Sequence, residues 1–117
     1  MKLLICGGRD LCGLNAYQAL CSAIAALPLQ PTLIIHGGAD GADMLADSWA
    51  KSHGIYAVRI DALWLARGKA AGSERNQAML DIIKPDQCIA LPGGQGTADM
   101  IRRCQRAGVP VTAVAEV

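Results

Sequence analysis

The chain of 117 residues has no phenylalanine, and two tryptophans and two tyrosines are its only aromatic side chains. An extended surface for single-stranded nucleic acid needs rings on which bases stack, and this composition supplies few. Charge of one sign is also missing: lysine and arginine nearly balance aspartate and glutamate, leaving a formal net charge of +1. No whole-protein field draws the molecule to polyanions, so nucleic acid is not an expected partner. No apolar run approaches the length of a membrane span, and "MKLLIC" breaks into "GGRD" too early for a secretory signal. The expected location is the cytoplasm, with no membrane partner. The five cysteines, at 6, 12, 21, 88 and 104, form no CxxC and no His/Cys cluster at metal-ligand spacing. They read as small reduced thiols of a cytosolic protein, with Cys12 set apart in a Gly-flanked loop. Neither a metal nor a cofactor is expected.

What is present is aliphatic: 52% of the residues are hydrophobic, so alanine, leucine, isoleucine and valine must fill the core. The length suits one domain over 1–117. Short apolar runs read as strands at 2–6, 32–36, 56–60, 87–91 and 111–115. Between them lie stripes at helical spacing. Tyr17, Leu20, Cys21, Ile24 and Leu27 mark the first helix, ended by Pro28; Ala42, Leu45, Ala46, Trp49 and Ala50 mark the second, stopped at Gly54. The segment 61–72 is the longest irregular piece. Ser73 is placed to cap a third helix with an apolar face of Met79, Ile82 and Ile83, ending before Pro85. Thr97 is placed to cap a fourth carrying Met100, Ile101, Cys104 and Ala107, with Gly108 as its stop. Near-continuously apolar strands alternating with helices predict an α/β, Rossmann-like doubly wound fold. Its open sheet has five parallel strands in the order 3-2-1-4-5 with helices on both faces. That order puts a switch point between strands 1 and 4, where such sheets bind ligands beyond the carboxyl ends of their strands.

Strands 1, 2 and 4 are neighbours in this order, and each runs into a glycine-rich loop. Gly7 and Gly8 lie in "GGRD", Gly37, Gly38 and Gly41 in "HGGADGAD", and Gly93, Gly94 and Gly96 before Thr97 in "PGGQGT". Glycine lets backbone approach a ligand, and free N–H groups at a helix start favour an anion; tight turns between strand and helix are the plainer alternative. No loop has the Gly-Lys-Ser/Thr ending of a P-loop or reads G-x-G-x-x-G. Arg75 and Asn76 fall in the first turn of the third helix, where a cation opposes the helix dipole, so Arg75 is a candidate bidentate donor to phosphate. Arg9 and Lys69 are further candidate cations. Asp10, Asp40 and Asp43 would repel phosphate and make sense beside a ribose, a base, a metal or an arginine, or Asp40 or Asp43 simply caps the second helix. For Asp43 the plainer reading, an acid in a first turn, is preferred, and His36 reads as a core histidine. Trp64 is placed either to stack on a base or to serve as an apolar lid. Arg102, Arg103 and Arg106 form a stripe that suits solvent or a subunit contact.

Taken together, "CGGRD", "HGGADGADMLADSWA", "LWLARGKAAGSERNQAM" and "PGGQGTADM" resemble the small YspA-like branch of the SLOG superfamily, in order through nearly the whole chain. The resemblance implies a Rossmann-like fold, a site for a nucleotide or nucleotide derivative, and a homodimer. The same superfamily contains DprA-like proteins that bind single-stranded DNA, and the LOG phosphoribohydrolases, whose signature is similar to PGGxGTxxE. Pro92 through Thr97 match that signature, and Arg75 is the candidate counterpart of its upstream arginine, but Met100 stands where the catalytic glutamate belongs. Cleavage of an N-glycoside wants a carboxylate beside an oxocarbenium-like centre and a base for water; a thioether offers neither. Asp99 is turned about 100° away along the helix, which leaves Asp10 or Asp40 as substitutes. Binding or sensing of a nucleotide-like small molecule is therefore the expected function, with no catalytic residue assigned. The alternative is an N-glycoside hydrolase acting on a nucleoside monophosphate or ADP-ribose-like substrate; a DNA-processing accessory is a weaker one.

Overall fold

Apolar strands this short shed water from both faces only when helices cover the sheet on both sides. A computed structural model describes residues 1–117. Its strands are β1 (Lys2–Cys6), β2 (Leu33–His36), β3 (Tyr56–Arg59), β4 (Gln87–Ala90) and β5 (Val111–Ala113). They form one sheet in the order β3-β2-β1-β4-β5, with every pair parallel. This is the Rossmann-like arrangement expected from the alternation of strands and helices. Central β1 takes Leu33 to Ile35 on one side and Gln87 to Ala90 on the other.

Successive strand residues point to opposite faces, and β1 shows this directly. Leu3 and Ile5 join one core with Leu20, Ile24, Ala46 and Trp49, contributed by helices α1 (Gly13–Ala25) and α2 (Ala42–Ser52). Leu4 and Cys6 join the other with Met79, Leu80, Met100 and Cys104, from the chain that follows β3 and from α5 (Gln95–Ala107). The edge strands are more open: Tyr56, Ala57 and Arg59 of β3 and Thr112 and Ala113 of β5 are exposed. No helix is long and apolar enough to cross a membrane.

Three expectations are corrected. The segment read as irregular holds a short helix α3 (Trp64–Arg67) and a 3₁₀ turn at Gly68–Ala70 that leads straight into α4 (Ala71–Ala78). Ser73 thus lies inside a helix already begun, and its hydroxyl donates to Ala70 O at 3.2 Å instead of capping. Next, α4 passes into a π-helical turn over Met79–Ile83 before Lys84, at φ 55°, ends it in the left-handed region. The wider turn rotates the following side chains, so Leu80 is buried while Ile82, expected on the core face, is 69% exposed. Finally, Gly94 and not Thr97 is the residue before α5; Thr97 is the third residue of that helix and is buried. At its other end Ala107 lies in solvent, and Gly108 stops the helix at φ 76°.

The π turn makes a testable division. Leu80→Ala should cost about 2–5 kcal/mol, whereas Ile82→Gln should stay within about 0.5 kcal/mol of wild type, both read from urea unfolding curves.

Candidate functional site

The loops after β1, β2 and β4 meet at Gly8. Its N–H donates to Pro92 O at 2.8 Å, and its own carbonyl accepts from the N–H of Ala42 at 3.0 Å. Side chains would break this junction. A Cβ on Gly7 would lie 2.7 Å from that of Ala42 and 2.8 Å from that of Leu91. On Gly93 it would strike Thr97 and sit 2.8 Å from Gly8 N. Gly41 combines a left-handed φ of 77° with the carbonyl of Gly8 directly over it. The glycines therefore let three loops pack on one another, whatever else they approach.

Around this junction lies a cleft of about 910 Å³, within the usual range for small-molecule sites. Gly7, Gly8, Arg9, Asp10, Gly37, Trp64, Lys69, Arg75, Asn76, Gly93, Gly94, Gly96 and Thr97 line it. Gly38, Asp40 and Gly41 do not. Gly41 underlies Gly8, Gly38 leaves room for the Arg59–Asp61 ion pair, and Asp40 is exposed on the outer side of its loop.

The opening of the cleft holds Arg9, whose guanidinium sits 5.6 Å from the ring centre of a half-exposed Trp64. One wall is the start of α5, which has no side-chain cap and no acid in its first turn. The N–H groups of Gln95, Gly96 and Thr97 have no acceptor within the helix, and all three residues border the cleft. Arg75 reaches across from α4. Its Nη1 donates to Gly37 O at 2.6 Å and its Nε to Asn76 Oδ1 at 3.2 Å. Gly37 leaves the room this placement of Arg75 uses, because a Cβ there would lie 2.7 Å from the guanidinium carbon and displace it. Burial draws the pKa of Arg75 below the ordinary guanidinium value, with Asp43 working the other way. Asn76 is committed to the frame: its Nδ2 donates to Gly96 O at 3.3 Å and to Asp99 Oδ2 at 3.0 Å. It holds the α5 loop against α4.

The model of the YspA, cpYpsA-related SLOG family matches residues 1–66. The chain belongs to that family. Over 86 residues it is also 38% identical to the Gene 61 protein of Mycobacterium phage D29, an alignment covering 68% of each chain.

In this SLOG chain a thioether stands at the position of the signature glutamate: Met100, at 1% exposure, packs into the core beneath the cleft it helps to line. Neighbouring Asp99 is engaged elsewhere. Partial burial opposes its charge, but Arg103, donating at 2.8 Å, and Asn76 hold its carboxyl below the ordinary range. His36 is likewise a framework residue. Fully buried, it contacts Asp47 Oδ1 through Nε2 at 3.0 Å, and its Nδ1 accepts the Gly38 N–H at 3.0 Å. That pairing puts the proton on Nε2, and the ring steadies the second loop.

The carboxylate that sequence reasoning assigned to the helix start and left out of the site is Asp43. Its place in the first turn of α2 gives it an ordinary capping appearance, and nothing in its neighbours along the chain reveals that it is 92% buried in the cleft floor (8% exposed). Only the meeting of β2, α4 and α2 does so. Its Oδ2 accepts the Ala39 N–H at 3.1 Å, the Gly37 N–H also acts on the carboxylate, and no side chain pairs with it. Desolvation pushes its pKa above the ordinary carboxyl range, partly offset by the Ala39 N–H and by the charge of Arg75.

A raised folded-state pKa means that, just above the ordinary carboxyl pKa, the folded chain keeps a proton the unfolded chain has lost. Stability therefore falls as pH rises through that window. Asp43→Asn keeps an acceptor for Ala39 and removes the titration, so its melting midpoint should gain on wild type between pH 4 and pH 7. A constant difference across those melts would contradict the assignment. Separately, Gly41→Ala should destabilise by at least about 1–3 kcal/mol through strain at a positive φ, measured by denaturant titration.

Proposed function

We propose that this protein binds a nucleotide or nucleotide derivative in the cleft, as a binding or sensing domain. The observation that carries the reading is the start of α5, a helix terminus with neither cap nor acid that opens into a 910 Å³ cleft. Free N–H groups and the positive end of the helix dipole favour a phosphate there. In this reading Gly93, Gly94, Gly96 and Thr97 hold the phosphate through backbone donors. Arg9, Lys69 and Arg75 add positive charge, with Nη2 of Arg75 still without a protein acceptor. Trp64 offers a face on which a base can stack, in place of its contact with Arg9. Asn76 positions the loop. Membership of a SLOG family supports a nucleotide-related ligand. Binding without cleavage is favoured over N-glycoside hydrolysis because Met100 removes the signature carboxylate and Asp99 is tied to Arg103. A homodimer belongs to the same proposal, supported by the exposed Leu63 and Leu65 beside the cleft. So does a cytoplasmic location, where five unpaired thiols persist.

Gly94 allows a direct test. Its φ is negative, at −99°, a Cβ there meets nothing within 4 Å, and its ψ of −141° has to turn toward the extended region for a residue with a side chain. Gly94→Asp should cap α5 with its own carboxylate, stabilising the free protein by about a few tenths of a kcal/mol while displacing a ligand phosphate. In a thermal-shift panel of nucleoside mono- and diphosphates, NAD and ADP-ribose, a ligand at about 100 times its Kd adds roughly 2.7 kcal/mol. That should raise the wild-type midpoint by on the order of 10 °C. The variant should melt higher alone and lose the ligand shift; an undiminished shift would place the phosphate elsewhere.

A further inference from the structure

Two helices begin beside this cleft, α5 with its first residues and α2 with Asp43 lining it, and the chain treats them differently. α5 begins with no acidic residue in its first turn. α2 carries Asp43 there, with its carboxylate drawn back onto the Ala39 N–H at 3.1 Å. A fixed negative charge at the second terminus offsets its dipole and repels a phosphate, so the two ends of the cleft call for different chemical groups. At the α2 end a ligand group that donates is the matched one, since only backbone N–H groups of the protein reach the Asp43 carboxylate. Asp43 is 8% exposed, lines the cleft, and has the guanidinium of Arg75 as its neighbour across Gly37.

The separation of the two ends narrows the donor. α2 follows β2 and α5 follows β4, with β1 between them and the two helices on opposite faces of the sheet, so the termini are offset along the sheet by about two strand spacings, roughly 10 Å. A five-carbon sugar with its 5′-phosphate bridges that gap once a hydrogen bond of about 3 Å is added at each end. A base, lying beyond the sugar, has the apolar ring of Trp64 at the opening of the cleft.

We infer that Asp43 accepts hydrogen bonds from the vicinal hydroxyls of a ribose, so that the cleft selects ribonucleotides over 2′-deoxyribonucleotides, with phosphate over α5 and sugar against α2. This rests on the nucleotide reading and assigns the polarity of the ligand and its sugar class. Asp43 acts in it as a specificity residue.

The test is calorimetric titration of the full chain with AMP, GMP, CMP and UMP and with their 2′-deoxy counterparts. Wild type should bind at least one ribonucleotide about tenfold or more tightly than its deoxy partner, the scale of one hydrogen bond to a charged acceptor. Asp43→Ala should bind that pair equally while still responding to the phosphate. Asp43→Asn, which keeps an acceptor for Ala39 and loses the charge, should fall between and covers the case in which the alanine variant does not fold. Equal affinity of wild type for both sugars overturns the inference, as does a ribose preference that survives in both variants. If Asp43→Ala weakens ribo- and deoxyribonucleotides alike, the donor is on the base and the sugar assignment fails. Should none of the eight bind wild type, the nucleotide reading itself falls and takes this inference with it.

Discussion

The site depends on a pair of backbone hydrogen bonds at Gly8, one to Pro92 O and one from Ala42 N–H. They lock the turn after the central strand to the turns on either side of it. Each partner approaches so closely that Gly7, Gly41 and Gly93 have no room for a side chain. Once this junction is made, the first turns of α2 and α5 have fixed positions relative to one another, and the cleft is the space left above them. A parallel sheet supplies the condition for it, because all strands deliver their carboxyl ends to the same rim.

On that rim the polar groups divide between frame and cleft. Asn76 spends its amide on Gly96 and Asp99, and His36 spends both ring nitrogens on Asp47 and Gly38. Arg75 is half committed, with Nη1 on Gly37 and Nε on Asn76. What remains facing the cleft is an unsatisfied helix start, part of a guanidinium and a desolvated carboxylate. Groups held in costly surroundings are where function is expected in an otherwise consistent structure. In the proposed reading a phosphate and a sugar relieve those costs at opposite ends.

Much of this was legible in the residues. Apolar runs of four or five residues separated by helical stripes were enough for strand number and strand order, because a buried parallel strand has few other ways to look. The glycine loops pointed to the rim for the same reason. Local detail was less accessible. Ser73 and Thr97 have the chemistry of caps, yet the chain enters α4 through a 3₁₀ turn and starts α5 at Gly94. Ile82 follows the helical period into the core until a π turn carries it out. Hydrogen bonding a few residues away decides such matters, and periodicity does not encode it.

The sequence by itself determined the architecture, since hydrophobic burial is additive along the chain and its pattern can be read residue by residue. It also marked thirteen of the side chains and glycines that come to line the cleft. Only the tertiary structure decided which charges are spent and which are free. Asp99 and Asp43 are both aspartates near a helix start, but three polar partners surround Asp99, at Arg102, Arg103 and Asn76. Asp43 has only backbone N–H groups and a place in the cleft floor. Desolvation depends on everything within a few ångströms in space, and residues 37, 43 and 75 become neighbours only when the chain has folded.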